Sequence, residues 1–229
     1  MKKRTFVMSL VLSLALIAGS MVTAFAAFPE NGIETVQKIT NEVTAEKFCY
    51  NFVDEVATGG YGLVDTEQLK AIVDAKEDVV IVDTMPEGWW KQHHVPGAIN
   101  AVAGDWGQGV PKKSFEEFDE AEQKALLEKV KKAVGTKSVT KYKNKKTKKV
   151  ITKAKYKKLS KKNKKNYKKV TVKQVNKDKT VIVYCGFVGC ARSHQAGMFL
   201  VKEGFKNVYR YAGGISAWVD AGYDVEAAQ

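Results

Sequence analysis

Two of the chain's three cysteines, Cys185 and Cys190, share one short loop, and the third is Cys49. Val181–Tyr184 is an uninterrupted apolar run that stops at Cys185. Gly186, Phe187, Val188, Gly189, Cys190 and Ala191 then separate Cys185 from Arg192, and from Ser193 onward the pattern is helical. A cysteine reacts as its thiolate, and helix N-termini and nearby cations favour that form. Glycines let a loop curl until successive N–H groups face one centre, which makes a nest for an anion. Arg192 adds a planar cation suited to oxyanions. Cys185 is therefore the candidate nucleophile, Gly186–Arg192 its substrate-binding cradle, and a sulfur at the centre is expected to be held as an anion. The competing reading is a buried cysteine that ends a strand.

Cys190 lies five residues past Cys185. It is either a resolving thiol, forming a disulfide with an oxidised or persulfidated Cys185, or a small residue packed under the loop. Asp83 at the end of a second apolar run, His94, and His194 in the first helical turn after the loop are supporting candidates. The chain has no Cys-x-x-Cys or His-x-x-x-His spacing, so neither a metal nor a cofactor is expected. Trp89 and Trp90 are either an aromatic wall beside the site or ordinary packing.

These residues need elements to place them. Val79–Val82 and Val181–Tyr184 are continuous apolar runs that suit strands covered on both faces. Leu63-Val64, Ala98–Ala101 and Asn207–Tyr211 are shorter strand candidates. Between them lie helical patterns. One runs from Thr44 to about Ala57, with Phe48, Phe52, Val53 and Val56 on one face. Another is capped by Asp65 or Thr66, a third opens on a Ser114–Glu117 capping box and stops at Gly135, and a fourth covers Ser193–Glu203. Gly204 ends that fourth helix, with Phe205 folding back on Leu200. A further helix follows Gly213-Gly214. Strands alternating with helices predict an α/β domain with a mostly parallel sheet of about five strands and helices on both faces. Ligand sites in such sheets lie beyond the carboxyl ends of the strands, where Cys185 and Asp83 both fall.

At the N-terminus, Lys2, Lys3 and Arg4 precede an apolar Phe6–Val22 stretch and an Ala24-Phe25-Ala26 cleavage pattern. Residues 1–26 are read as a Sec signal peptide, which places the mature protein in the periplasm or outside the cell, at the cell wall or beyond. Residues 27–60 form an N-terminal helical extension, and residues 61–225 the main domain. The net charge of +13 is unevenly spread. Lys129–Lys179 holds 23 lysines and one aspartate, +22, which leaves −9 for the rest. The basic stretch interrupts the domain at about residues 136–179. Ser160 can cap a short helix there, and Lys169–Val175 alternates like a strand, so a partly folded surface insertion competes with a flexible linker. Lys137–Lys177 could be a solvated surface, bind an anionic cell-surface polymer or lipid, or concentrate anionic substrates. Nucleic acid is not the expected partner of an exported protein.

Four stretches together resemble the rhodanese (sulfurtransferase) family, in an exported single-domain form. They are Asp83 at its strand end, His94-Val95-Pro96-Gly97-Ala98-Ile99-Asn100, Cys185 after its strand, and Gly213-Gly214-Ile215-Ser216-Ala217-Trp218. The resemblance implies a rhodanese fold interrupted by the lysine-rich insertion. It also implies sulfur transfer, in which Cys185 takes sulfane sulfur from a small anionic donor such as thiosulfate or polysulfide. The resulting persulfide passes its sulfur to a thiol or cyanide-like acceptor. Arg192 would bind the donor. The loop is longer than is usual in single-domain members, and longer loops in the superfamily go with phosphatase and arsenate-type oxyanion chemistry. That chemistry, thiol–disulfide exchange at Cys185, and a non-enzymatic binding module working through the lysines are the alternatives.

Overall fold

The computed structural model describes residues 42–103 and 120–228. The signal segment and the Ser114 capping box lie outside these residues. The chain divides into two compact units, residues 1–62 and 63–229. In the first, the described helix is α1 (Glu42–Gly59), which stops where Gly60 takes a positive φ of 68°. Its face is less buried than the spacing predicts. Val53 is 56% exposed, and Cys49 is also exposed.

The second unit is built on a five-stranded sheet in the order β1-β8-β7-β2-β3. Its strands are β1 (Gly62–Val64), β2 (Val80–Asp83), β3 (Ile99–Asn100), β7 (Val181–Tyr184) and β8 (Val208–Tyr211). The pairs β3–β2, β2–β7 and β7–β8 are all parallel, with Asp83 opposite Tyr184 and Tyr184 opposite Tyr211. The two apolar runs are the central strands and every residue in them is buried, as a sheet covered on both sides requires. Ile81, Ile182 and Tyr184 cluster with Leu69 and Ile72 of α2 (Thr66–Asp74) and with Ile215 and Trp218 of α8 (Gly214–Asp220). On the other face, α4 (Glu120–Val134) packs on β2, and α7 (Ala191–Lys202) packs on β7 and β8.

Local signals fix the helix ends. Asp65 caps α2 in a full capping box with Gln68. Gly135 stops α4 at φ +65°. At the end of α7, Phe205 N–H reaches Leu200 O at 3.0 Å and Gly204 N–H reaches Val201 O at 2.9 Å, the paired bonds of a Schellman stop. The short α3 (Glu87–Gln92) carries Trp89 and Trp90.

The lysine-rich stretch is an ordered antiparallel sheet, order β5-β4-β6, made of β4 (Thr136–Asn144), β5 (Val150–Thr152) and β6 (Tyr167–Val175). Nine cross-strand pairs set β4 against β6. Two short helices, α5 (Lys153–Lys157) and α6 (Lys161–Lys164), join β5 to β6, and Ser160 caps the second. Tyr142 stacks on Tyr156 with ring centroids 3.6 Å apart, and Tyr167 meets Tyr156 edge-on. This aromatic stack supplies the small core that the lysines cannot.

Candidate active site

Strand β7 delivers Cys185 to the carboxyl edge of the sheet, and the chain leaves it in a tight loop. The loop closes on itself through Cys190 N–H to Phe187 O at 2.9 Å. Its crown faces solvent, with Phe187 58% and Val188 39% exposed, whereas Cys185 and Cys190 are 1% and 3% exposed. Helix α7 starts directly after Cys190.

The loop is held from two further elements. The first amides of α8 bond it from below: Ile215 N–H to Cys185 O and Ser216 N–H to Gly186 O, both at 2.9 Å. This approach needs Gly214, whose φ is +65°, because a Cβ there would lie 2.7 Å from the Gly186 carbonyl carbon. That requirement is the physical content of the Gly213-Gly214 motif. From β8, Arg210 is fully buried and reaches up beside the cysteine. Its Nε donates to Ser193 Oγ at 3.0 Å, and its Nη2 donates to the carbonyls of Cys190 at 3.1 Å and Val188 at 3.5 Å. Ser193 Oγ in turn lies 3.4 Å from Cys185 Sγ. Arginine can only donate, so the serine oxygen is the acceptor for Arg210 and its own hydrogen can point at the sulfur. Sequence reading passed over both residues. The signal was a lone arginine inside the apolar closing strand Val208–Tyr211.

The two cysteines are in contact, and their thiols are shifted in opposite directions. Burial pushes the Cys185 thiol well up, and the neighbouring Cys190 charge adds to this. Consistent with a protonated sulfur, Cys185 Sγ donates to Cys190 O at 3.3 Å. The Cys190 thiol is pulled down to about 5 by the hydrogen bond from Cys185, against its own burial, and then by the amides of Arg192 and Gly186 and the Arg192 guanidinium. Arg192 Nη1 lies 3.9 Å from Cys190 Sγ. The surroundings of the loop thus favour negative charge on Cys190 over Cys185, where the sequence pointed to Cys185. Which sulfur the amides face depends on the path of the loop, and composition does not carry that.

The supporting candidates make contacts of their own. His94 stacks on Trp90 at 4.5 Å, places Nδ1 2.8 Å from Trp90 O, and bridges through its backbone to Glu226. Its visible partners are structural. Trp90 Nε1 donates to Ala98 O at 3.3 Å while Trp89 is 63% exposed, so the two tryptophans do not act as a pair. His194 is buried in the first turn of α7.

Asp83 is fully buried at the end of β2 and its Oδ1 accepts the Met85 amide at 2.8 Å. Oδ2 has no hydrogen-bond partner among the described residues. Burial raises its pKa from 3.8 to about 6, with the Met85 amide and the Tyr184 hydroxyl pulling back. A raised carboxyl favours the fold while protonated, so this residue begins to cost stability above its unfolded pKa and costs most above about 6. Asp83→Asn keeps the Met85 bond and removes the charge. It should raise stability by about 1–3 kcal/mol at about pH 7.5 and leave it unchanged at about pH 4. Urea melts at both pH values check this, and an equal effect at both would remove the charge explanation.

Among the described residues no group of His, Cys, Asp and Glu could hold a metal ion. No described helix is long and apolar enough to cross a membrane.

A curated sulfurtransferase from Allochromatium vinosum is 34% identical over 58 residues, which is 25% of this chain and 52% of that protein. The chain thus spans about half the length of this relative. A rhodanese-like domain from Anabaena aligns in structure at 14% identity and a TM-score of 0.41, covering 72% of this chain and 78% of that one. A thiosulfate sulfurtransferase from Pseudomonas aeruginosa aligns at 17% identity and a TM-score of 0.42, covering 78% and 24%. The family model described as the rhodanese-like domain matches residues 65–221, from the cap of α2 to the end of α8 and through the cysteine loop, so this chain belongs to the rhodanese-like domain family.

Proposed function

We propose that this protein is an extracytoplasmic sulfurtransferase carrying sulfane sulfur as a persulfide on Cys185. The observation that supports this best is the Arg210–Ser193–Cys185 chain of contacts, which leaves the Ser193 hydroxyl hydrogen free to face the sulfur beyond the end of a buried strand. A hydroxyl held in this way stabilises whatever negative charge develops on that sulfur. Burial favours the protonated form of Cys185 and the contacts on Cys190 favour its thiolate, so Cys190 is the base in this scheme. When an anionic donor such as thiosulfate enters beside Arg192, the proton moves from Cys185 to Cys190. The Cys185 thiolate then attacks the donor's outer sulfur, the sulfur–sulfur bond of thiosulfate breaks, and sulfite leaves with the electron pair. A thiol or cyanide-like acceptor takes the sulfur in the next step. Mass spectrometry after thiosulfate or polysulfide treatment at alkaline pH should find one added, cyanide-labile sulfur on the Cys185 peptide of Cys190→Ser, which cannot form a Cys185–Cys190 disulfide. Phosphate release from an aryl phosphate with no sulfur uptake would instead support oxyanion chemistry at the same loop.

A second reading concerns the basic sheet. Lys143 lies directly opposite Lys168 across β4 and β6, and like charges so placed repel. The acid of the segment, Asp178, is already taken by Lys137 and Lys206. A folded surface with this much self-repulsion suits a linear anionic cell-surface polymer. Binding to long-chain polyphosphate should then weaken on the order of 10³-fold between about 50 and 200 mM salt if six or more lysines engage. Exchanging Lys141, Lys143, Lys168 and Lys169 for Gln should flatten that salt dependence. Salt-independent binding, or none at low salt, would leave the lysines as a solvated surface. Preferential binding to anionic vesicles would point to lipid instead.

A further inference from the structure

The loop holds a second sulfur that carrying a persulfide does not require. Cys185 and Cys190 are both buried, in contact through Cys185 Sγ and Cys190 O at 3.3 Å, and joined by a turn that the Phe187–Cys190 backbone bond already closes. Cys190 is held at both ends, by Arg210 on its carbonyl and by Arg192 beside its sulfur. A cysteine that only filled space under the loop would need neither cation.

We propose that Cys190 discharges the Cys185 persulfide by attacking Cys185 Sγ, forming a Cys185–Cys190 disulfide and expelling hydrosulfide, so that the protein acts as a dithiol-dependent sulfane-sulfur reductase. The inference rests on the persulfide reading above and names its acceptor class: a dithiol, in place of a monothiol or cyanide.

The protons and electrons balance. Loading leaves Cys185 as an anionic persulfide and Cys190 as a thiol holding the proton that Cys185 gave up. That proton passes to the outer sulfur, which restores the Cys190 thiolate. The thiolate forms a bond to Cys185 Sγ, the bond from Sγ to the outer sulfur breaks, and the outer sulfur leaves as HS⁻ with the electron pair. Sulfane sulfur is reduced, and the two cysteines are oxidised to a disulfide. An external dithiol, in a protein or a small molecule, then reduces that disulfide by ordinary exchange and becomes a disulfide itself. Over one cycle with thiosulfate, the donor and a dithiol yield sulfite, hydrosulfide and the oxidised dithiol.

Two features favour attack on the inner sulfur. Cys185 Sγ is the atom already seated against Cys190, 3.3 Å from its carbonyl oxygen. The leaving groups also differ. Attack on the outer sulfur would expel Cys185 as a bare thiolate in a site that opposes its ionisation. Attack on Sγ expels hydrosulfide, a less basic group than an alkyl thiolate, and less basic groups leave faster. The exposed crown at Phe187, Val188 and Gly189 leaves the loop open to the reductant.

The test is anaerobic and uses the full chain. Reduced protein, freed of reductant, is mixed with inorganic polysulfide or thiosulfate. Released hydrosulfide is measured, and the cysteine peptides are mapped after alkylation. The expected result is up to one hydrosulfide per chain together with an internal Cys185–Cys190 disulfide, and multiple turnovers once dithiothreitol is added. Cys190→Ser and Cys190→Ala, loaded at alkaline pH where Cys185 ionises unaided, should retain the persulfide and release hydrosulfide about tenfold more slowly or less. A wild-type persulfide that persists without a disulfide, equal release from wild type and both variants, or sulfane sulfur found on Cys190 would overturn this inference and leave the persulfide reading standing. No sulfane sulfur on Cys185 in either variant, with no hydrosulfide from wild type, would overturn the persulfide reading and this inference together.

Discussion

Arg210→Met lowers sulfur transfer by about 10²-fold, with most of the loss in kcat, because removing one preorganised donor from a site of developing charge costs on this order. The side chain is fully buried and donates to Ser193 Oγ and to the carbonyls of Cys190 and Val188. Methionine matches its bulk but donates nothing. Ser193 is then able to turn its hydrogen elsewhere, and two loop carbonyls lose a charged partner. Leaving buried polar groups unsatisfied costs about 1–3 kcal/mol each, offset in part because a buried cation is also removed, so the protein should be measurably less stable yet folded. Arg210 acts through Ser193 and the loop, which makes it a positioning residue. The pH dependence of Cys185 alkylation separates that role from a purely structural one. If Arg210 orients the Ser193 hydroxyl toward the sulfur, the alkylation profile shifts to higher pH in Arg210→Met. Arg210→Lys restores only part of it, since lysine cannot span all three acceptors. A folded Arg210→Met protein with a wild-type profile and turnover within about threefold would show that the contacts brace the loop and nothing more.

The part of the site that could be read in advance is the part written in local chemistry. A continuous apolar run ending in cysteine has few readings, and β7 with Cys185 at its end is one of them. The Asp65 cap and the Gly204 stop are contacts within a few residues, so sequence spacing is enough to foresee them. Arg210 is different. An arginine between tyrosines in a short strand looks the same whether it faces water or the core. Only the pairing of Val183 with Arg210 across β7 and β8 puts it on the face that α7 covers, under Ser193. The path of the loop was hidden for a related reason. Glycines at positions 186 and 189 announce a curled loop, but whether its amides face Cys185 or Cys190 is set by dihedral angles and by the grip of α8 on the Cys185 and Gly186 carbonyls. Strand β4 is not marked by alternation because its two apolar side chains, Val139 and Tyr142, are three residues apart. It is held as a strand by its nine-residue pairing with β6, a long-range contact.

The largest loss of stability should come from Gly214→Ala. Two costs combine at this position. The residue sits at φ +65°, where an L side chain strains against its own backbone by about 1–2 kcal/mol. The added methyl would also lie 2.7 Å from the Gly186 carbonyl carbon and 2.8 Å from its oxygen, and would press on the Cys185 carbonyl. Those are backbone atoms held by the Ile215 and Ser216 amides, so the relief available is a shift of the loop or of the start of α8. Gly97 provides the internal control. Its φ is +75°, but no atom lies within 4 Å of the position its Cβ would take. Gly97→Ala therefore measures the conformational cost alone and should lose about 1–2 kcal/mol. Gly214→Ala should lose about 3–5 kcal/mol, in the range that marks a named structural fault. The two variants should diverge further in function. Moving Cys185 by a fraction of an ångström against Ser193 and Cys190 should cut sulfur transfer of the folded Gly214→Ala protein by about tenfold or more, while Gly97→Ala stays near wild type. Denaturant melts with turnover measured on the same samples decide it. Equal losses at the two glycines would mean that α8 does not clamp the cysteine loop, and that the paired glycines serve only to turn the chain.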